Sequence, residues 1–165
     1  MKAFLIILLL SGMVLVSKAQ MFDRYIGIRM GYGNGLFYET QINDMDSYRF
    51  MYSSRDKGMH FTAMKIKRKY KTEHLPEEFL MYYGYGGHIG YVKWNKAVTI
   101  KEIGYYWDQR SAAVIGLDAI VGISYDFKRQ PISITFDVKP FFDLLGPNGF
   151  NTMPYDFAFG AVYCF

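Results

Sequence analysis

The sequence has 165 residues, with 19 Lys and Arg against 15 Asp and Glu, and aromatic residues make up 19% of it. This length predicts a single domain, and the small positive charge excludes the strongly basic surface typical of nucleic-acid binding. The one cysteine, Cys164, excludes an internal disulfide framework. Because Tyr and Phe are spread along the whole chain, composition leaves open a lipid-facing barrel and a soluble one.

The first predicted element is a signal peptide over residues 1–19. Lys2 is followed by an uncharged apolar run over residues 4–16 and then by small residues on either side of Lys18. This layout predicts export and cleavage after Ala19. A membrane-spanning helix needs about 20 apolar residues, and this run is shorter. Cleavage leaves residues 20–165 as one domain, in which the loss of Lys2 and Lys18 leaves 17 basic residues against 15 acids.

Eight later segments alternate between bulky apolar residues and small or polar ones, as strands with two different faces do. Prolines and turn residues fall between these segments or at their ends. The predicted strands are residues 24–32, 36–42, 48–52, 60–68, 79–92, 114–127, 132–138 and 155–165. An even number of antiparallel strands can close into a barrel with both termini at one end.

The two longest connections, residues 93–112 and 140–154, are predicted as loops at the end opposite the termini. Long loops at one end and shorter turns at the other are typical of outer-membrane barrels. An aromatic patch is predicted on the first loop at the membrane interface, formed by Trp94, Tyr105, Tyr106 and Trp107. The cations best placed for phosphates of the outer leaflet are Arg55, Lys57, Lys93, Lys96, Lys101 and Arg110.

Bulk decides which face of the sheet is inside. An eight-stranded barrel has an interior just wide enough for side chains to fill it, so the many rings and branched residues would overfill it. We therefore predict that they face lipid and that the charged faces fill the lumen with paired ions. The predicted lumen charge network is Arg29, Glu39, Arg49, Lys65, His88, Asp118, Asp126, Asp137, Lys139 and Asp156, and Lys67 is assigned to the same face.

These features together resemble the small outer-membrane β-barrels of Gram-negative bacteria, of the OmpA-barrel and OmpX type. The resemblance implies a place in the cell outer membrane, in contact with its lipids, including lipopolysaccharide. It also implies that the last strand is an assembly signal read by the barrel-insertion machinery. The matching positions are Tyr155, Phe157, Phe159, Tyr163 and Phe165, while Ala161 is smaller than the pattern prefers.

The fold class predicted is therefore all-β, an eight-stranded antiparallel up-and-down transmembrane barrel with a polar, filled lumen. We expect a non-catalytic protein without cofactor or metal, with a structural role or one in which external loops 93–112 and 141–154 contact an unknown partner. A narrow channel is the first alternative. The second is a lipid-modifying hydrolase, in which His60 would act on the lipid-facing outside near Ser53, Ser54 and Asp56.

Overall fold

A computed structural model describes residues 23–55, 57–69, 76–100, 104–147 and 149–165, with backbone alone at 97–100 and 104–106. The predicted signal peptide, residues 1–19, lies outside these ranges. Within them, no helix is long and apolar enough to cross a membrane. The described chain forms ten strands: β1 Arg24–Gly31, β2 Asn34–Gln41, β3 Asp46–Arg55, β4 Gly58–Lys69, β5 Phe79–Ile100, β6 Gly104–Asp126, β7 Ile132–Val138, β8 Phe141–Leu145, β9 Asn151–Met153 and β10 Phe157–Cys164.

The strands close into one antiparallel barrel. Strands β1 to β6 each pair with the next along the chain, and β10 completes the cylinder by pairing with both β7 and β1. At the closing seam, Arg24 and Phe165 exchange two main-chain hydrogen bonds, at 3.2 and 2.9 Å. The predicted eight-stranded antiparallel barrel is confirmed, because the two short strands β8 and β9 only extend barrel strands.

Strands β7 and β8 both pair with β6 and act as one barrel strand that is interrupted at Lys139 and Pro140. Proline has no amide hydrogen to donate to a neighbouring strand, but the Pro140 carbonyl still accepts a hydrogen bond from Ala119 at 2.9 Å. Strand β8 also pairs with β9. The prediction of one long loop over residues 140–154 is therefore wrong, because most of that segment continues the sheet.

The predicted loop over residues 93–112 is also wrong. Strands β5 and β6 remain paired as far as Ile100 and Gly104, whereas β4 follows β5 only to Tyr91 and β8 follows β6 only to Ile115. Residues 92–100 and 104–114, here called the distal hairpin, thus form a two-stranded ribbon beyond the barrel, roughly 30 Å long at strand spacing. The alternation fades here because neither face of an isolated ribbon is turned toward a core.

Side chains alternate strictly between the two surfaces of the barrel. In β3 and β4, every second residue is buried and its neighbours are exposed almost throughout. Glycines on the inner face make room for larger groups: a methyl at Gly122 would collide with the Tyr82 ring, and one at Gly160 with the Thr135 hydroxyl. Inner glycines therefore let large polar side chains fit a narrow interior.

Part of the interior is apolar. One cluster of buried side chains contains Tyr25, Phe37, Met51, Val162 and Cys164. A second contains Met64, Ile66, Tyr82 and Ile120. The interior is thus filled by ions and by apolar side chains together, and it is less uniformly polar than predicted.

Candidate functional site

The polar interior is the first candidate site, and we call its charged residues the lumen network. Each member is at most 9% exposed. Five fixed cations face five carboxylates, so that the charges of the network nearly cancel before its histidine is counted. The members are Arg29, Glu39, Arg49, Arg55, Arg68, His88, Asp118, Asp137, Lys139, Asp143 and Asp156.

Glu39 is held between two arginines. Its Oε2 accepts a hydrogen bond from Arg49 Nε at 2.8 Å, and its Oε1 accepts from Arg68 Nη2 at 2.6 Å and from Ser47 Oγ at 2.6 Å. The Arg49 and Arg68 guanidinium groups also lie over the Phe37 and Tyr25 rings, each at 4.4 Å. The carboxylate therefore ties β2, β3 and β4 together with charge-assisted hydrogen bonds.

Arg29 is the centre of a second group. Its Nε donates to Asp137 Oδ1 at 2.8 Å, and its Nη1 donates to Asp156 Oδ1 at 2.9 Å and to the Gly33 carbonyl at 3.1 Å. The hydroxyl of Tyr82 donates to the other oxygen of Asp137 at 3.1 Å. Because Arg29 lies on β1 and Asp137 on β7, this group spans the strand that closes the barrel.

His88 forms the third group, since both ring nitrogens contact carboxylates. Nδ1 lies 2.7 Å from Asp118 Oδ2, and Nε2 lies 2.9 Å from Asp143 Oδ1. Ionised carboxylates only accept hydrogen bonds, so a ring that carries both protons satisfies both contacts. Lys139 Nζ donates to Asp118 at 2.7 Å, and Arg55 Nη2 lies 3.5 Å from Asp143. The chain of ions therefore continues on both sides of His88.

His60 lies beside this third group, with its ring 5.6 Å from the His88 ring. It is 3% exposed and faces the interior, as does the buried Ser53 on the neighbouring strand. Among the described residues, His60 Nε2 and Thr62 Oγ1 are buried without a hydrogen-bond partner. The hydrolase hypothesis required His60 on the lipid-facing outside, and that placement is wrong. Asp56, its third component, lies outside the described residues.

Most of the predicted lumen charges do lie inside the barrel: Arg29, Glu39, Arg49, His88, Asp118, Asp137, Lys139 and Asp156. Asp126 is half-buried near the end of β6, where it accepts a 2.5 Å hydrogen bond from Ser124 Oγ. The placement of Lys65 and Lys67 inside is wrong. Both project outward, because the inner face of β4 is taken by the buried residues Thr62, Met64 and Ile66.

The assignment of Arg55 to phosphates of the outer leaflet is wrong, because its side chain is buried in the interior beside Asp143. The prediction also missed the interior side chains of Arg68, Tyr82 and Asp143. Extending the period of Arg49 and Met51 along β3 leads to Arg55, and extending that of Met64 and Ile66 along β4 leads to Arg68. The period-two alternation that predicts both positions is present in the sequence. Asp143 was assigned to a loop, so its alternation with Phe142 and Leu144 was not used.

The second candidate site is a cleft of about 420 Å³ at the barrel end opposite the termini, here called the mouth cleft. It lies between the base of the distal hairpin and the connection from β8 to β9. Asp143 lines the cleft and also belongs to the lumen network, and Asn151 Nδ2 donates to it at 3.2 Å. Other lining residues include Lys57, Lys93, Trp94 and Asn95.

The predicted aromatic patch is not gathered on one surface. Trp94 is half-buried at the mouth cleft, whereas Trp107 is 64% exposed on the distal hairpin. Since Trp94 pairs with Arg110, the period of two places Trp107 on the opposite face of the ribbon. Only the backbone of Tyr105 and Tyr106 is described. The residues of the predicted assembly signal face outward on β10 and directly before and after it: Tyr155, Phe157, Phe159, Tyr163 and Phe165.

Within the described ranges, no group of three or more His, Cys, Asp or Glu side chains is arranged to hold a metal ion. No protein-family model matches the chain, and no curated protein matches it. Among solved structures, the chain is similar to the N-terminal β-barrel domain of Pseudomonas aeruginosa OprF. That likeness has 14% sequence identity and a TM-score of 0.49, and it covers 86% of this chain and 95% of that one. It concerns the fold alone.

Proposed function

We propose that this protein is an integral outer-membrane β-barrel that acts without catalysis, through the surface formed by its distal hairpin and mouth cleft. The observation that carries the proposal is the polarity of the barrel, which is charged inside and apolar outside. Its lumen network serves as a structural plug. The proposal also takes membrane lipids, including lipopolysaccharide, as surroundings and the barrel-insertion machinery as a partner in assembly.

The apolar exterior supports a lipid environment. Every barrel strand carries some large apolar side chains that are 37% or more exposed. Together these side chains form a band around the cylinder. A soluble monomer rarely exposes a continuous apolar surface of such extent, whereas a lipid-facing barrel requires it. Examples from different strands are Ile28, Phe50, Phe61, Tyr83, Leu117, Ile134 and Phe159.

The charged interior supports the same conclusion. A soluble barrel has no need to bury five carboxylates, because it can place charges on its outer surface and apolar groups inside. Each buried ion costs several kcal/mol of desolvation unless it is paired and hydrogen-bonded. Here Arg29 and Glu39 both lie at 1% exposure or less, and each is fully engaged by partners of opposite charge.

The position of the distal hairpin supports its role as the contact surface. The start of β1 and the last residue of the chain lie at one end of the barrel, where Arg24 bonds to Phe165, and the hairpin extends from the other end. If the termini face the periplasm, the hairpin and the mouth cleft face the cell exterior. In the part of the chain that the structure describes, no third strand pairs with the ribbon beyond Tyr91 and Ile115, so its edges are open to a strand added by a partner.

A folded barrel in the membrane is tested by two measurements on the full chain. Cell fractionation should recover the protein with outer membranes, and unboiled samples should migrate differently from boiled ones on a denaturing gel. A protease site inserted between Ile100 and Gly104 should be cleaved by protease added to intact cells. Recovery in the soluble fraction, without a heat-dependent band, would refute the membrane barrel; protection of the inserted site would refute the external hairpin.

The narrow-channel alternative is tested separately. The side chains of Arg29, Arg49, Tyr82 and Phe141 are almost completely buried inside the barrel, which supports a closed lumen. We expect the purified barrel to show no discrete conductance steps in planar bilayers. Reproducible steps from heat-modifiable, folded protein would favour the channel over the plug.

A further inference from the structure

The outer surface of β4 changes character along its length. Near the distal end it carries Met59, Phe61 and Ala63, as expected of a lipid-facing strand. Toward the end that holds the termini, the next three outward residues are all basic, and we call them the β4 lysine ridge: Lys65, Lys67 and Lys69. Their outward direction is what the sequence pattern had not predicted.

Exposed aromatic rings flank the ridge on both sides. Lys65 lies opposite Tyr48 on β3 and Tyr85 on β5, and Lys67 lies opposite Tyr83. All three tyrosines are exposed. Tyrosine and lysine side by side on a lipid-facing strand are typical of the level at which hydrocarbon gives way to lipid headgroups. The ridge therefore lies at a membrane boundary.

The lysines differ in whether their charge is already neutralised. Lys65 Nζ lies 3.4 Å from Asp46 Oδ2, and the Lys65 side chain is one-third exposed. The ion pairs found among the described residues include neither Lys67 nor Lys69. Both of these line a cleft of about 530 Å³ together with Met45 and Tyr83, and with Asn43, Asp44, Asp46 and Arg68. Arg68 is occupied by Glu39 in the interior.

We propose that Lys67 and Lys69 bind the phosphate of an anionic phospholipid headgroup, in the leaflet that meets the terminal end of the barrel. This inference rests on the proposed function, because it requires the barrel to be embedded in a bilayer. The two ammonium groups supply the charge, and Tyr83 with its outward neighbour Met81 supplies an apolar surface for the start of an acyl chain. The acidic neighbours Asp44 and Asp46 limit the positive charge of the site. Asp46 offsets Lys65, so the net charge lies between one and two positive charges, depending on how far solvent screens the exposed Asp44.

An anionic headgroup fits this arrangement better than a zwitterionic one. A zwitterionic lipid brings its own cation beside its phosphate, so it gains little from two lysines that already repel that cation. An anionic lipid has no such cation. A lysine near an anionic lipid surface contributes about 1 kcal/mol, equivalent to about a five-fold change in affinity.

The test compares lipid binding by the refolded full barrel and its variants in mixed micelles, with native mass spectrometry counting bound phosphatidylglycerol and phosphatidylcholine at equal concentration. We expect the unaltered protein to prefer phosphatidylglycerol, and the Lys67→Gln/Lys69→Gln variant to lose about five-fold of that preference for each lysine. Lys65→Gln/Asp46→Asn should change it little, because it removes a paired cation and anion together and leaves the net charge of the site unaltered.

The matched control is Lys128→Gln/Arg129→Gln, which removes the same charge from the exposed turn between β6 and β7. It should keep the preference. A ridge variant that retains the full preference, or a control that loses as much, would overturn the inference. Every variant is first checked for the heat-modifiable band, so a barrel that folds in lipid but shows no preference refutes this site alone. Failure of the unaltered protein to insert would refute the proposed function instead.

Discussion

Arg29 donates hydrogen bonds to two parts of Asp156, to the carboxylate at 2.9 Å and to the main-chain carbonyl oxygen at 2.8 Å. The two residues are 127 positions apart in the chain, yet they lie on neighbouring elements at the seam where β1 meets β10. Because Arg29 also binds Asp137, a single guanidinium group joins the first strand to the last two barrel strands. The closing seam is therefore held by side chains as well as by the sheet.

We expect Arg29→Gln to lower the free energy of unfolding by about 3–5 kcal/mol, since it leaves the buried Asp137 without its cation and Asp156 with Lys139 alone, 3.8 Å away. The measurement is the urea midpoint of the barrel in detergent, followed by the heat-modifiable band. Arg24→Gln is the matched control, because Arg24 lies on the same strand with an exposed side chain. Equal midpoints for the two variants would show that the Arg29 group does not hold the seam.

A second prediction contrasts a buried ion pair with a surface one. Glu39→Gln should destabilise the barrel by about 3–5 kcal/mol, because Arg49 and Arg68 would be left buried beside a neutral amide. Asp46→Asn breaks the partly exposed pair with Lys65 and should leave the urea midpoint almost unchanged. A double-mutant cycle on Glu39 and Arg68 in the same unfolding assay measures their coupling directly. A coupling near zero would contradict the clamp.

The buried pairs of Glu39 and the exposed pair of Asp46 with Lys65 also show which features of the barrel can be predicted from its sequence. Period-two alternation identifies all eight barrel strands and places Arg29 and Glu39 inside, since a strand in contact with two different surroundings must alternate. The prediction failed at Lys65. Alternation separates the residues of β4 into two faces, but the assumption that the charged face lies inside chose the wrong one. Met64 and Ile66 fill an apolar part of the lumen, and a rule that every charge is internal does not allow for that.

Alternation also does not predict the strands beyond the barrel. It depends on two surroundings of different polarity, and the distal hairpin has similar surroundings on both faces. Residues 93–112 therefore looked like a loop, although β5 and β6 stay in register there. The sequence also did not predict that Asp118, His88 and Asp143 come together. Asp143 lies on β8, and the pairing of β8 with β6 shifts register between Ile115 and Gly116.

The isolation of the distal hairpin leads to a third prediction. Lys93 and Ser111 are directly paired, so replacing residues 94–110 by Asn-Gly should join them through a two-residue turn that suits a β-hairpin. We expect the shortened barrel to keep its heat-modifiable band and its urea midpoint, because among the described residues β5 and β6 pair only with each other in that region. Loss of the folded band would show that the ribbon supports the barrel.

The last prediction separates two roles of Phe165. Its main chain exchanges hydrogen bonds with Arg24 at the seam, while its half-exposed ring faces outward and is proposed as part of the assembly signal. Deleting the residue would remove both contributions. Phe165→Ala removes the ring alone and keeps the main-chain bonds, so we expect less folded protein in the outer membrane but an almost unchanged urea midpoint for the barrels that do insert. Phe50→Ala on β3 removes a similarly outward ring from a strand that does not pair with β10, and it should leave the membrane yield near normal. If both variants lose yield equally, the effect of Phe165 reflects lost apolar surface and not recognition.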